Sequence, residues 1–385
     1  MRLLENLFDG LRPKVEGGRF ARAKPLFDAI NNFFLWPRTA TETAPHIRDP
    51  LDVKRYMTLV ILALVPTLAA GVYLFGLRVL AVVLVSYVVG GSIEVLFACV
   101  RREEINEGFL VTGLIFPLIL PPGVPLWLVA LGIAAGVIIG KEIFGGTGRN
   151  PFNAALVGRC LLVLAYPSRL NAFVAPASGW PGRLATYGVD ALSGATPLAA
   201  AKTGALEPIG NLFWGNVSGS IGETSALLIL AGGIFLVLVG VANWRTIVSV
   251  LGSFAVLGLA LGGLAPSHFS SPVGWQMLAG GLLFGAVFMA TDPVTSPITG
   301  AGKVAYGILI GALVLLIRNL TGYVEGVTFA ILLGNIAAPT MDAAVVRWRV
   351  RSLDQALRQA QGREHGRTAR DRPEPVEGRR LAREA

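Results

Sequence analysis

Long blocks of apolar residues, almost free of charge, constrain this chain more than any other feature. Runs of about 20 such residues match the thickness of a bilayer's hydrocarbon core. In that medium every backbone N–H and C=O must find a partner within the protein, which leaves helices or closed barrels. The blocks are too long and too uninterrupted for barrel strands, so an all-α integral membrane protein is expected. Charged residues make up only 15% of the sequence, against about a quarter in soluble domains. The net charge of +9 is concentrated at the two ends, at Arg12, Lys14, Arg19, Arg22 and Lys24 and again at Arg347, Arg349, Arg351, Arg358 and Arg363. Basic residues flanking membrane spans mark the cytoplasmic side. Both termini are therefore expected to be cytoplasmic, and nucleic-acid binding is excluded as the meaning of the charge.

Apolar segments fall near 56–76, 78–100, 109–120, 125–143, 152–167, 225–242, 246–264, 275–290, 304–318 and 324–339. About ten transmembrane helices are thus expected, an even count that agrees with two cytoplasmic ends. The segments near 109–120 and 275–290 are short and stop at Pro121-Pro122 and Asp292-Pro293. They hold the same place in two halves of five segments each. An odd number of spans per half gives the halves opposite orientations, hence a 5+5 inverted repeat with two broken helices. The expected organisation is a cytoplasmic amphipathic N-terminal segment (1–55), a first five-helix repeat (56–167), a periplasmic loop (168–224), a second repeat (225–340) and a basic, disordered cytoplasmic tail (341–385). The start has no apolar core of signal-peptide length.

Cys99 and Cys160 stand alone in apolar segments with no CxxC spacing, so no tightly bound transition metal or iron–sulfur cluster is expected. Chemistry concentrates elsewhere. The 168–224 loop carries Asp190-Ala191-Leu192-Ser193-Gly194-Ala195-Thr196, which resembles the acceptor motif of proteins modified by the periplasmic flavin transferase. In that motif the last hydroxyl forms a phosphoester with FMN, here Thr196. Asp190, Ser193, Gly194 and Ala195 complete the motif, and the small residues are expected to leave the hydroxyl unshielded. A second cluster, GKEIFGGTGRNPFN at 140–153, suits a tight helix-to-helix turn; its asparagines also suit hydrogen bonding to a heterocycle edge.

Together with HIRDPLDVKRYM, EVLFACVRREEINEGF, GSIGETSAL, MATDPV, KVAYGILIG and YVEG, these stretches make the chain similar to the NqrB/RnfD family, and within it to the NqrB subunits of the sodium-translocating NADH:quinone oxidoreductases. The likeness covers about residues 1–350. The RnfD subunits of the Rnf ferredoxin:NAD oxidoreductases are the related alternative. The long polar lead-in and the GKEIFGGTGRN wording match the quinone-reductase branch.

The resemblance implies covalent FMN on Thr196, a noncovalent riboflavin near Asn150 and Asn153, and a ubiquinone site at Gly90 and Gly91. It ties Glu94, Asp292 and Asp342 to Na⁺ uptake and movement. It also implies a bacterial inner-membrane location and partners in one six-subunit complex, which hold the NADH site, FAD, iron–sulfur and a second covalent FMN. A flavin transferase is needed for maturation. Chemistry supports these assignments in part. An ionisable residue inside a span is a functional candidate by default. Glu94 also suits a hydrogen-bonded carboxyl near Arg101 and Arg102, Asp292 an N-cap, and Asp342 an offset to Arg347. Gly90-Gly91 suits close helix packing. A flavin-free channel or transporter would share the repeat but has no use for an acceptor loop.

Overall fold

The computed structural model describes residue 27 and residues 53–103, 108–171, 173–176, 194–265 and 271–370. Most of the expected N-terminal segment, Asp190 and Ser193 of the acceptor motif, and residues 371–385 lie outside the described residues.

The described residues form a helical bundle. The first half comprises α1 (Val53–Phe75), α2 (Arg78–Arg101), α3 (Gly108–Leu118), α4 (Leu126–Gly140) and α5 (Ala154–Ala165). Two short helices follow, α6 (Pro197–Lys202) and α7 (Ile209–Trp214). The second half comprises α8 (Ala226–Leu238), α9 (Trp244–Leu264), α10 (Val273–Leu278), α11 (Leu282–Phe284), α12 (Gly300–Leu320) and α13 (Val327–Arg370). Among the described residues, six helices are long and apolar enough to cross a membrane: α1, α2, α4, α9, α12 and α13. The helices α3, α5 and α8 are apolar but shorter.

The two interrupted segments show how irregular backbone survives in an apolar body. Helix α3 stops at Leu118, ahead of Pro121-Pro122, and its last carbonyls would otherwise lack partners. They are met from a distant loop: Gly222 N–H donates to Leu118 O at 2.7 Å and Ile221 N–H to Leu120 O at 3.0 Å. The 275–290 stretch is more broken than its sequence suggests. α10 ends at Leu278, and the chain turns through Gly280 at φ +69°. It then resumes as α11, which runs into a π-helical turn over Gly285–Met289. A left-handed φ at that turn explains the glycine.

Contacts follow the same order in both halves. α2 packs on α3 and α4, and α4 packs on α5. α9 packs on α10 and α12, and α12 packs on α13. Small residues permit the close approach, as in membrane bundles. A Cβ on Gly136 would lie 2.4 Å from Ala154 O, and one on Gly158 2.5 Å from Gly132 O, so α4 and α5 meet backbone to backbone. α1 and α8 run antiparallel. The Tyr56 hydroxyl, at the start of α1, donates to Val241 O just past the end of α8 at 2.6 Å. Near the other end of α1, Gly71 meets Ile221, shortly before α8 begins.

One expectation is corrected. The tail taken as disordered from residue 341 continues α13 without interruption to Arg370, in a helix of 44 residues. Its Ala, Leu, Arg and Gln are strong helix formers, and that propensity outweighs the charge and scattered glycines. At about 1.5 Å per residue the helix is far longer than a bilayer core, so its C-terminal turns extend beyond the apolar layer.

Candidate functional site

Polar side chains gather at two places inside the apolar body, one toward each end of the bundle. The first surrounds a cavity of about 70 Å³ whose polar lining includes Tyr56, Thr112, Lys141, Asn150, Asn153 and Asp292. The cavity lies between the two interrupted segments and the antiparallel pair α1 and α8. The turn after α4 builds its floor. Gly145, Gly146 and Gly148 all take positive φ, which lets the chain fold tightly back before α5.

The two asparagines reach this cavity in different ways. Asn150 is held within its own loop: its Oδ1 accepts from Gly148 N–H at 3.2 Å and its Nδ2 donates to Phe152 O at 2.9 Å. Asn153 is the N-cap of α5, with Oδ1 accepting from Ala155 N–H at 3.1 Å and Leu156 N–H at 3.4 Å. That leaves its Nδ2 donor without a hydrogen bond among the described residues, on a side chain that lines the cavity.

Charge enters the cavity wall through Lys141. Its Nζ donates to Glu94 Oε1 at 2.5 Å, and both side chains are buried, at 3% and 6% exposure. Nearby, Arg101 donates to Glu142 Oε2 at 2.7 Å and also to Glu142 O. Asp292 stands on the cavity wall and closes a turn, accepting from Val294 N–H at 3.1 Å and from the Thr295 hydroxyl at 3.2 Å. Lys141 thus binds Glu94 directly and lines the same cavity as Asp292.

Asp342 does not line the cavity. It caps the start of α12, accepting from Ile298 N–H at 2.7 Å, Thr299 N–H at 3.0 Å and the Thr299 hydroxyl. Backbone capping is therefore what its carboxylate does here, where the sequence suggested an offset to Arg347. Gly90 and Gly91 sit at helix contacts: a Cβ on Gly90 would meet Ile133 of α4 at 2.9 Å, and one on Gly91 would meet Phe109 of α3 at 3.2 Å.

The second place holds Thr196. Its side chain is only 5% exposed and caps α6, with Oγ1 accepting from Ala199 N–H at 3.3 Å. Gly194 is pinned beside it, its N–H donating to Phe173 O at 3.0 Å. The unshielded hydroxyl expected from the motif is thus buried, because Pro197 and Leu198 turn inward behind it. A small cavity of about 10 Å³ adjoins Thr196, walled also by Ser218, Ser220, Glu223, Gly280 and Glu325.

A buried charge cluster forms the back of this cavity. Arg159 of α5 donates to Glu223 Oε1 at 3.0 Å and to Glu325 Oε2 at 2.5 Å. Burial, and then the nearby Glu325 carboxylate, pushes the Glu223 carboxyl up to about 7 against the pull of Arg159. Arg318 of α12 is also buried and donates to Gln276 O at 2.7 Å. Arg159, Glu223, Glu325 and Arg318 did not emerge as site residues from the sequence. The signal was there, since an arginine inside ALVGRCLLVLA or LIGALVLLIRNL is as unexpected in a span as a carboxylate.

The family model described as NQR2, RnfD, RnfE matches residues 40–351. The chain is similar to the B subunit of the Na(+)-translocating NADH-quinone reductase of Pseudomonas paraeruginosa, at 38% identity over 90% of this chain and 98% of that protein. The protein of the same name from Azotobacter vinelandii is 39% identical, over 87% of this chain and 94% of its own length. For the one from Klebsiella pneumoniae the identity is 37%, over 90% and 98%.

Proposed function

The chain belongs to the NQR2, RnfD and RnfE family, and on that premise we propose that it is the membrane-embedded NqrB subunit of a Na⁺-translocating NADH:quinone reductase. In this reading it passes electrons from a covalent FMN on Thr196 through a noncovalent riboflavin to ubiquinone, and couples their passage to outward Na⁺ movement. NADH oxidation belongs to partner subunits of the same complex in the bacterial inner membrane. The three relatives all carry the B-subunit name and are matched over nearly their full length, which favours this branch over the RnfD branch.

The polar cavity between the two interrupted segments carries the reading. A pyrimidine edge needs donors for its carbonyls and an acceptor for its N–H. The cavity offers the Asn153 amide and the Lys141 ammonium as donors, and Asp292 as acceptor. Tyr56 and Phe288 supply aromatic walls. The donor set fits a riboflavin edge. At about 70 Å³ the closed space admits only part of a three-ring heterocycle, so the remainder must lie in the open mouth or widen the site. When bound, the flavins supply the one- and two-electron chemistry. The chain's own residues orient them and hold charge beside them.

At the Thr196 site the adjoining cavity offers the Ser218 and Ser220 hydroxyls beside the Glu223 and Glu325 carboxyls. The burial of Thr196 means that a transferase reaches its hydroxyl only after α6 opens locally or before it docks.

Na⁺ handling is assigned to Glu94 and Asp292, with Asp342 of α13 at the start of α12. Because Glu94 is already bound to Lys141, a cation at Glu94 must displace that ammonium. Gly90-Gly91 keeps α2 thin against α3 and α4, and a quinone ring at this surface would use the same gap. The antiparallel run of α1 and α8, which head the two halves, supports the 5+5 inverted repeat.

The test is covalent flavin. The chain is expressed with an active flavin transferase, denatured in SDS and viewed under ultraviolet light. A fluorescent band is expected for wild type and none for Thr196→Ala. A wild type without a band, alongside a positive control for the transferase, would reject the redox reading.

A further inference from the structure

Lys141 acts on two carboxylates, one from each half of the chain. Its Nζ donates to Glu94 Oε1 of α2 at 2.5 Å, and both side chains are buried. Lys141 also lines the large polar cavity, where Asp292 stands beyond the second interrupted segment. Among the described residues that line this cavity, Lys141 is the one basic residue and Asp292 the one acidic residue. The ammonium is near enough to act on Asp292 through space.

One ammonium thus serves two carboxylates. The neighbouring charges are already paired: Arg101 binds Glu142 through both its carboxylate and its carbonyl. Asp292 accepts from neutral donors, the Val294 N–H and the Thr295 hydroxyl. The Tyr56 hydroxyl on the same wall donates to Val241 O. With both carboxyls ionised, Glu94, Lys141 and Asp292 together carry one net negative charge. One further monovalent cation balances the set.

The side chain in the middle is of the kind that can move. A lysine carries a compact ammonium on a flexible four-carbon stem with three rotatable donors, whereas an arginine fork is fixed to its partner. Lys141 lies just past the end of α4, at the edge of a cavity of about 70 Å³. A water needs about 10–15 Å³ of such space, so an ammonium has room to turn into it.

We propose that Lys141 is a built-in competitor of the transported cation: its ammonium leaves Glu94 for Asp292 when Na⁺ takes its place at Glu94, and returns when Na⁺ leaves. The inference rests on the reading of Glu94 as a Na⁺-handling residue. Each position of the ammonium keeps Glu94 paired with a single positive charge, and an uncompensated buried charge is what costs most. Asp292 then sets the Na⁺ affinity of Glu94 without touching the ion, because it offers the displaced ammonium a second partner. Such an effect is a coupling free energy between two sites, and here Lys141 carries it.

The experiment is equilibrium binding of ²²Na⁺ to the full chain in detergent, with choline replacing Na⁺ to hold the ionic strength. Wild type is compared with Glu94→Gln, Lys141→Met, Asp292→Asn and the double variant Lys141→Met with Asp292→Asn. Lys141→Met is expected to bind Na⁺ at least about fivefold more tightly than wild type, and Asp292→Asn at least about fivefold more weakly. The double variant should bind as tightly as Lys141→Met alone, since Asp292 acts through the ammonium. A weakening by Asp292→Asn of the same size in both backgrounds would make Asp292 a direct ligand and overturn the exchange. An affinity in Lys141→Met no higher than in wild type would make the lysine a structural partner and overturn it as well. Binding unchanged in Glu94→Gln would remove the Glu94 assignment itself, and the exchange with it. If Lys141→Met does not fold, Lys141→Arg decides. Its guanidinium keeps the charge and can hold Glu94 by two bonds, so Na⁺ should bind more weakly than in wild type. An affinity equal to wild type would overturn the proposal.

Discussion

At the scale of single residues, the most consequential contact is the buried pair of Lys141 and Glu94. Removing one partner of such a pair leaves the other charge uncompensated, at a typical cost of about 3–5 kcal/mol. Glu94→Ala is therefore expected to lower the unfolding midpoint, and to weaken the Na⁺ dependence of quinone reduction while flavin content stays normal. The double variant Glu94→Gln with Lys141→Met removes both charges. It should recover most of the lost stability but not the Na⁺ response. Unfolding in detergent and turnover at graded Na⁺ measure the two effects separately. A Na⁺ response unchanged in Glu94→Ala would take Glu94 out of the ion pathway. The sequence could not show this pair. Arg101, at the end of the same helix, pairs instead with Glu142, and the partner of Glu94 comes 47 residues later, from the far side of an interrupted segment. The same holds for Arg159, whose partners lie 64 and 166 residues away.

At the scale of elements, α5 ties structure and ligand together through one residue. Asn153 uses its Oδ1 to cap α5 and leaves its Nδ2 to the cavity. The two roles can be separated, because serine is as good an N-cap as asparagine but carries no amide. Asn153→Ser is expected to keep the unfolding midpoint of wild type and to lose most of the noncovalent flavin recovered on extraction. Asn153→Ala should lose the flavin and also about 1 kcal/mol of stability. Full flavin content in Asn153→Ser would remove the amide from the site. Elements whose ends are written locally were legible in advance. Pro121-Pro122 and Asp292-Pro293 stop their helices where a missing N–H and a fixed φ require it. The break at Gly280 and the long run of α13 were not legible. The first depends on what converges on the glycine in space, and the second on many small propensities that no single residue announces.

At the scale of the whole molecule, six long helices and a 5+5 repeat make different predictions at one loop. If only α1, α2 and α4 cross the membrane in the first half, three crossings carry the chain from a cytoplasmic start to an external loop after α4. If α3 crosses as well, that loop is cytoplasmic. Ile143 stands in it and is 64% exposed. Leu206 and Leu353, at 50% and 62% exposure, fall on the external and cytoplasmic sides under either count and serve as controls. The geometry favours the larger count. The cavity joins Tyr56, Gly108, Asn153, Val241 and Asp292, so the starts of α1, α3 and α5 share one end of the bundle with the end of α8. A chain that returns to the same end before each of those helices has crossed the bundle between them, and α3 is one of the crossings. The test uses single cysteines at 143, 206 and 353, with Cys99 and Cys160 replaced, and a membrane-impermeant maleimide. In intact spheroplasts the probe is expected to label position 206 alone, and positions 143 and 353 only after lysis. Labelling at 143 in intact cells would reduce the membrane crossing of α3 to a re-entrant contact and reject the inverted repeat. Because the cavity and the Thr196 site would then open on one side, it would also remove the transmembrane separation that coupling electron flow to Na⁺ movement requires.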